Sequence, residues 1–140
     1  MTFLVDANAF SEARRRAPDP NVLAWFASTP GSELFTSVLV FGELRRWVEL
    51  ARRRDVVAAQ SLEAWLREIE RNLADRVLPV SRDIADMWGE LGIPDPVPDV
   101  DGLIAATALV HDLTIVTRNV GDFERTGVRT LNPFEDPSAQ

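Results

Sequence analysis

Cysteine and lysine are both absent from this 140-residue chain, and histidine occurs once, at His111. That removes disulfides, thiolate metal sites, cysteine nucleophiles, Schiff-base lysines and the lysine of a P-loop. A Ser-His-Asp triad would have to be built around His111, which falls in a helix-to-strand connection. What remains as chemistry is oxygen: carboxylates, amides, hydroxyls and water. These stand at informative places. Asp6 ends the apolar run Phe3-Leu4-Val5, with Asn8 two residues on. Asp101 opens an apolar, helix-forming segment. The run Leu113 to Thr117 leads into Arg118-Asn119, and Asp122 follows three residues later.

Taken singly, most of these have a plain structural reading. Asp6 suits the turn after a strand, Asp101 or Asp99 could cap a helix, and Asn119 and Asp122 are common turn residues. Glu43 is harder to explain that way. At about 100° per residue it falls between Leu39, Val40, Trp47 and Leu50, centred on the apolar stripe of its helix. A carboxylate on the core side must be paired, protonated or bound to a metal. No lysine can pair it; Arg46 could. Carboxylates gathered in one place repel each other and call for a cation. Hard oxygen ligands without cysteine or a free histidine select Mg²⁺, or Mn²⁺, over zinc. Water on such an ion is a good nucleophile toward a phosphodiester.

The elements that must position these groups alternate. The pattern predicts a strand at Phe3 to Val5, one or two helical turns at Ser11 to Arg16, and a helix opened by Asp19-Pro20. A strand at Leu34 to Thr36 leads through the cap Ser37 to a helix ending near Arg53, and Asp55 caps another that ends near Leu73. Then come a strand at Val77 to Val80, a helix at Arg82 to Leu91, and a rigid loop whose three prolines are Pro94, Pro96 and Pro98. A helix from Asp101 to His111, the strand Leu113 to Thr117 and a last strand at Val128 to Leu131 close the chain. Such alternation predicts an α/β protein, a three-layer α/β/α sandwich with a mainly parallel central sheet. In such sheets ligands bind beyond the carboxyl ends of the strands, where these oxygens collect. The expected single domain spans residues 1–134, with a frayed tail at 135–140.

Composition is that of a globular domain: 46% hydrophobic and 26% charged residues. No apolar run approaches the ~20 residues of a membrane span, and no signal segment opens the chain. The lack of cysteine accords with a reducing cytoplasm. All fifteen basic residues are arginine, and the net charge of −7 argues against a general nucleic-acid coat. RNA contact would have to use local clusters such as Arg14 to Arg16 or Arg52 to Arg54, which solvated helix faces explain as well.

Four ordered pieces carry a family resemblance: Asp6 with Asn8; Thr36-Ser37-Val38-Leu39-Val40-Phe41-Gly42-Glu43-Leu44-Arg45; Asp101-Gly102-Leu103-Ile104-Ala105-Ala106-Thr107-Ala108; and Val116-Thr117-Arg118-Asn119-Val120-Gly121-Asp122-Phe123. Together with the ending Leu131-Asn132-Pro133-Phe134, they resemble the PIN domain, more narrowly the VapC toxins of bacterial type II toxin–antitoxin systems. The resemblance implies a Mg²⁺-dependent endoribonuclease that arrests translation and leaves 5′-phosphate and 3′-hydroxyl ends. It also implies a homodimer, neutralised by a small VapB antitoxin in a higher assembly. Carried over by position, Asp6, Glu43 and Asp101 match the core acids. Many relatives carry Asp where Asn119 stands, and Asp122 could supply that carboxylate. Asn8 and Thr117 fit supporting roles. The antitoxin is expected to cross the acidic pocket and to lay a helix in an apolar groove, with Trp25, Phe26 and Trp47 as candidate lining. Two rival enzyme classes fare worse: a haloacid dehalogenase phosphatase needs a second aspartate where Asn8 stands, and a phosphate-receiver domain needs a lysine. A non-catalytic module that binds RNA or protein is the remaining alternative.

Overall fold

The computed structural model describes residues 1–139; Gln140, the end of the predicted tail, lies outside the described residues. Strands β1 (Phe3–Val5), β2 (Leu34–Ser37), β3 (Val77–Leu78), β4 (Thr114–Val116) and β5 (Thr130–Leu131) form one sheet in the order β3-β2-β1-β4-β5. Every pairing is parallel, so the sheet is wholly rather than mainly parallel. Phe3, Leu4 and Val5 of the central strand are buried, as are Thr114, Ile115 and Val116 beside it, as expected for strands covered on both faces.

Helices α1 (Ala7–Arg14), α2 (Pro20–Ser28), α3 (Val38–Arg52) and α4 (Val56–Leu73) connect β1 to β2 and β2 to β3. Helices α5 (Arg82–Glu90) and α6 (Asp99–Val110) connect β3 to β4. The first two connections step along the sheet one way and the third steps back across it. Right-handed crossovers therefore put α1 to α4 on one face and α5 and α6 on the other. The strand order reverses between β1 and β4, and the crevice at such a reversal is where open α/β sheets bind ligands.

The caps follow the sequence closely. Asp19 accepts from Asn21 N, Ser37 from Leu39 N, and Asp55 from Val57 N and Ala58 N. Two helix starts moved. α1 begins at Ala7 rather than near Ser11, because the Asp6 side chain itself caps it, accepting from Ala7 N. α6 begins at Asp99 with Pro98 in the cap position and no side-chain cap bond, so neither Asp99 nor Asp101 serves as a cap. β3 stops at Leu78, short of the expected Val80, because Pro79 has no N–H to give to the ladder. Val128 likewise falls outside β5. Residues Pro137–Ala139 form a single 3-10 turn. No helix among the described residues is long and apolar enough to cross a membrane.

Gly102 explains how α6 comes close to its neighbour. A Cβ there would stand 3.0 Å from both the Trp88 ring and Val97 Cγ2. The missing side chain lets α6 press against α5 one residue after Asp101.

Candidate active site

Asp6 leaves β1 at the strand-order reversal and is only 8% exposed. Its Oδ1 accepts from Ala7 N at 2.8 Å, and its Oδ2 accepts from Thr117 Oγ1 at 2.9 Å. The buried Thr117 hydroxyl, just past β4, also accepts from Asn8 Nδ2 at 3.0 Å and from Asn119 N at 3.1 Å. With one proton given and two received, the hydroxyl is fully used and its direction is set. Asn8 closes the ring: its Oδ1 accepts from Arg118 N at 3.0 Å. The two strand ends are thus stitched together by side chains, and Asp6 cannot turn. Asn8 and Thr117 hold it there.

The other acids arrive from separate elements. Glu43 projects from α3, Asp101 from the first turn of α6, and Asp122 from the 3-10 turn Val120–Thr126, which the buried Phe123 anchors. They reach one another electrostatically. Burial, then the charges of Asp6 and Asp101, push the Glu43 carboxyl up to about 7, against a smaller pull from Arg46. Burial raises Asp6 despite its hydrogen bonds, with a further push from Asp122. Burial also raises Asp101, followed by the charges of Asp122 and Asp6. Asp122 therefore belongs to the cluster. Asn119 adjoins it through its backbone: its N–H donates to Thr117 and its carbonyl accepts from Asp122 N at 3.1 Å.

Two expectations need correction. Glu43 is not centred on the buried face of α3. That face is Val40, Leu44 and Val48, an i, i+4 seam, whereas Trp47 and Leu50 are exposed and Glu43 is half-buried at its edge. Nor do Trp25, Phe26 and Trp47 share one groove. Trp25 packs edge-on against Phe3, and Phe26 stacks on Phe10, so both belong to the core margin. Only Trp47 stands at the site. With Arg46, Pro98, Asp99 and Val100 it lines a cleft of about 420 Å³ that contains Glu43 and Asp101. Asp99, weighed from sequence only as a cap, is thus a member of the cleft; its place two residues before Asp101 was the available signal. Half of the residues in the two arginine clusters are occupied elsewhere. Arg14 bonds Ser61 and lies over Trp65, Arg15 pairs with Glu12, and Arg52 pairs with Glu49 and Glu63.

Among the described residues, no three acidic or imidazole side chains are spaced to hold a metal ion as they lie. The donor chemistry suits a hard divalent cation all the same. Four carboxylates lie within electrostatic reach of one another with no lysine, cysteine or histidine among them, and burial, with a further push from neighbouring carboxylates, holds Asp6, Glu43 and Asp101 above their ordinary range.

An acidic cleft at the strand-order reversal of an all-parallel α/β sheet defines a class, and the chain's sequence agrees: it matches the PIN domain family over residues 3–128 and belongs to that family. It is 34% identical over 139 residues to VapC ribonuclease Y4jK of Sinorhizobium fredii, covering 94% of this chain and 97% of that protein. It is 31% identical to Toxin FitB of Neisseria gonorrhoeae, covering 95% and 99% of the two. The crystal structure of FitAcB from the same organism superimposes with a TM-score of 0.89 at 30% identity, over 96% and 100% of the chains. VapBC-5 of Mycobacterium tuberculosis, a member of the VapBC family of toxin-antitoxin systems, gives a TM-score of 0.63 at 27% identity, over 93% and 95%.

Proposed function

We propose that this protein is a VapC-type toxin: an endoribonuclease that needs Mg²⁺ or Mn²⁺, cuts RNA phosphodiesters to inhibit translation, and is neutralised by a VapB-type antitoxin. The observation that carries this reading is the grouping of Asp6, Glu43, Asp101 and Asp122 near the strand-order reversal, where burial first and neighbouring carboxylates second raise Asp6, Glu43 and Asp101. Stability alone gives no reason to gather uncompensated carboxylates there. The similarity to a protein named VapC ribonuclease over nearly the whole chain supports the same reading.

Asp6, Glu43 and Asp101 would hold the ion, with Asp122 as the fourth carboxylate and Asn119 as a neutral oxygen beside it. Such an ion supplies an activated water and counter-charge for the phosphate oxygens. Asp6 is the fixed member, held by Thr117, Ala7 N and, through Thr117, Asn8. The rise at Glu43 belongs to the site without the ion; the ion's charge would reverse it and leave Glu43 a carboxylate able to ease a proton from the attacking water.

The same acidic cleft would accept an arginine from the antitoxin, because a guanidinium offsets clustered carboxylates and binds them bidentately. The reading includes a cytoplasmic homodimer that assembles further with the antitoxin, as the toxin-antitoxin family of VapBC-5 suggests. The test is cleavage of cellular RNA by the purified protein. We expect activity in Mg²⁺ or Mn²⁺, loss in EDTA, and poor support by Ca²⁺, whose looser coordination fits worse. Cleavage undiminished in EDTA contradicts the proposal.

A further inference from the structure

The cleft beside the acids is not itself purely acidic. One wall carries Trp47, a large aromatic side chain left 40% exposed, and next to it Arg46. Four tryptophans occur in the chain. Trp25 and Trp65 pack against the core, and Trp88 lies against Gly102. Trp47 alone opens into the cleft that holds Glu43 and Asp101. Arg46 is also unlike the other arginines of its helix. Arg45 and Arg52 are tied to Glu63, whereas Arg46 forms no ion pair among the described residues. A second, shallower hollow lined by Val38, Leu39, Gly42, Glu43, Arg46 and Val100 adjoins the first and extends it along α3.

These features fit one kind of occupant. A cleft of about 420 Å³ lies at the small end of ligand sites. It offers a flat π-face, one free cation and an acidic centre in sequence. Single-stranded nucleic acid presents the complement: a base with a π-face, joined to a phosphate. Aromatic side chains that stack bases and guanidiniums that meet phosphates are the two usual devices for holding it. An electrically negative protein needs such local devices, because its net charge of −7 gives no general attraction to RNA.

We propose that Trp47 and Arg46 form a nucleotide subsite of the enzyme, Trp47 stacking on the base next to the cleaved linkage and Arg46 meeting the adjoining phosphate. This rests on the ribonuclease reading above and adds the residues that select single-stranded, base-bearing substrate. Trp47 is then a specificity residue, and its contribution falls on substrate binding.

The experiment uses the full-length protein in Mg²⁺ and a single-stranded oligoribonucleotide that it cleaves. The same oligonucleotide is also made with an abasic unit at each nucleotide flanking the cut. In the parent, one abasic unit should raise KM about 5- to 150-fold with kcat little changed, the range expected for one base stack. Trp47→Ala should raise KM on the intact oligonucleotide by a similar factor and make the abasic unit inconsequential. Trp47→Phe should keep most of the affinity and the abasic penalty, which guards against a folding defect in the alanine variant. Arg46→Ala should weaken all oligonucleotides alike and flatten the salt dependence of binding. A Trp47→Ala protein with parental KM overturns the inference, and if it also loses the antitoxin, Trp47 serves the protein partner instead. An abasic penalty that persists unchanged in Trp47→Ala overturns it too. A parent that cuts no RNA in Mg²⁺ or Mn²⁺ overturns the ribonuclease reading and the subsite with it.

Discussion

Glu43 on α3 and Glu63 on α4 are the same residue type in opposite electrical settings. Glu63 receives Arg45 Nη1 at 2.6 Å, Arg52 Nη2 at 3.1 Å and Arg67 Nη2 at 3.3 Å. The Arg45 hydrogen bond, outweighing desolvation, holds its carboxyl below the ordinary range, helped by the charges of all three arginines. Glu43 has only the smaller pull of Arg46 against burial and two aspartates, and is pushed up to about 7. Arg45 is two residues from Glu43, on the same helix. α3 therefore turns Arg45 and Arg52 to the seam with α4, and Glu43 has no ion-pair partner among the described residues. The seam is a closed electrostatic unit; the cleft is an open one, and openness is what a site for an external cation requires.

Charge removal should separate the two regions first by activity. Asp6→Asn keeps the shape of the side chain and an oxygen to cap Ala7 N, but removes one negative charge from the acidic cluster. Cleavage of RNA should fall about 100-fold or more, the scale of losing one electrostatic contact in a reacting centre. Near-parental turnover by this variant would show that the acids were wrongly chosen.

A smaller effect is expected one layer further out. Thr117→Val keeps volume but removes the shorter of the two hydrogen bonds to Asp6 Oδ2, the shorter of the two made by Asn8 Nδ2, and the acceptor of Asn119 N. The unsatisfied buried groups should cost about 1–3 kcal/mol in stability, with reduced activity as Asp6 loosens. Thr117→Ser should restore most of both. Chemical denaturation measures the first, and equal stability of the valine variant would mean the network is not holding Asp6.

The smallest effect should come from the seam. Glu63→Gln should lower the melting temperature slightly at low salt, with cleavage unaffected. Added salt should erase the difference, because exposed pairs are screened. The pH dependence has the ordinary sign for a paired acid: the stabilisation from Glu63 is present above its unfolded pKa and is lost as pH falls through its lowered folded value. Lost activity in this variant would join the two regions that the comparison separates.

Much of the fold was legible because local signals agreed with one another. Ser37 and Asp55 cap the helices they were expected to cap, and the apolar runs at Phe3 and Ile115 became the central strands. The start of α1 was hidden because Asp6 does two jobs at once, ending a strand and capping a helix. At the site, strand ends and helix starts marked Asp6, Asp101 and Asp122, since topology brings such places together. Glu43 was found by an argument that was only half right. Its stripe contains Leu39, Trp47 and Leu50, but the buried seam is Val40, Leu44 and Val48, and periodicity alone cannot say which of two adjacent apolar stripes faces the core. The Thr117–Asn8–Asp6 ring and the cleft wall of Trp47 and Arg46 depend on contacts between distant segments, which spacing along the chain does not encode.

The central claim is that Glu43 serves the reaction at a cost to the fold, and one measurement addresses it directly: the melting temperature of parent and Glu43→Gln in EDTA, from pH 5 to pH 8. The folded-state value of about 7 lies above the ordinary 4.5. The folded parent thus holds a proton that the unfolded chain has released between those values. The stability from that proton is full below 4.5 and lost as pH rises through 7. Glu43→Gln cannot lose it. The variant's advantage over the parent should be smallest near pH 5 and grow to its full size at pH 8, and the variant should cleave no RNA. A variant that melts lower at pH 8 and still cleaves would contradict the central claim.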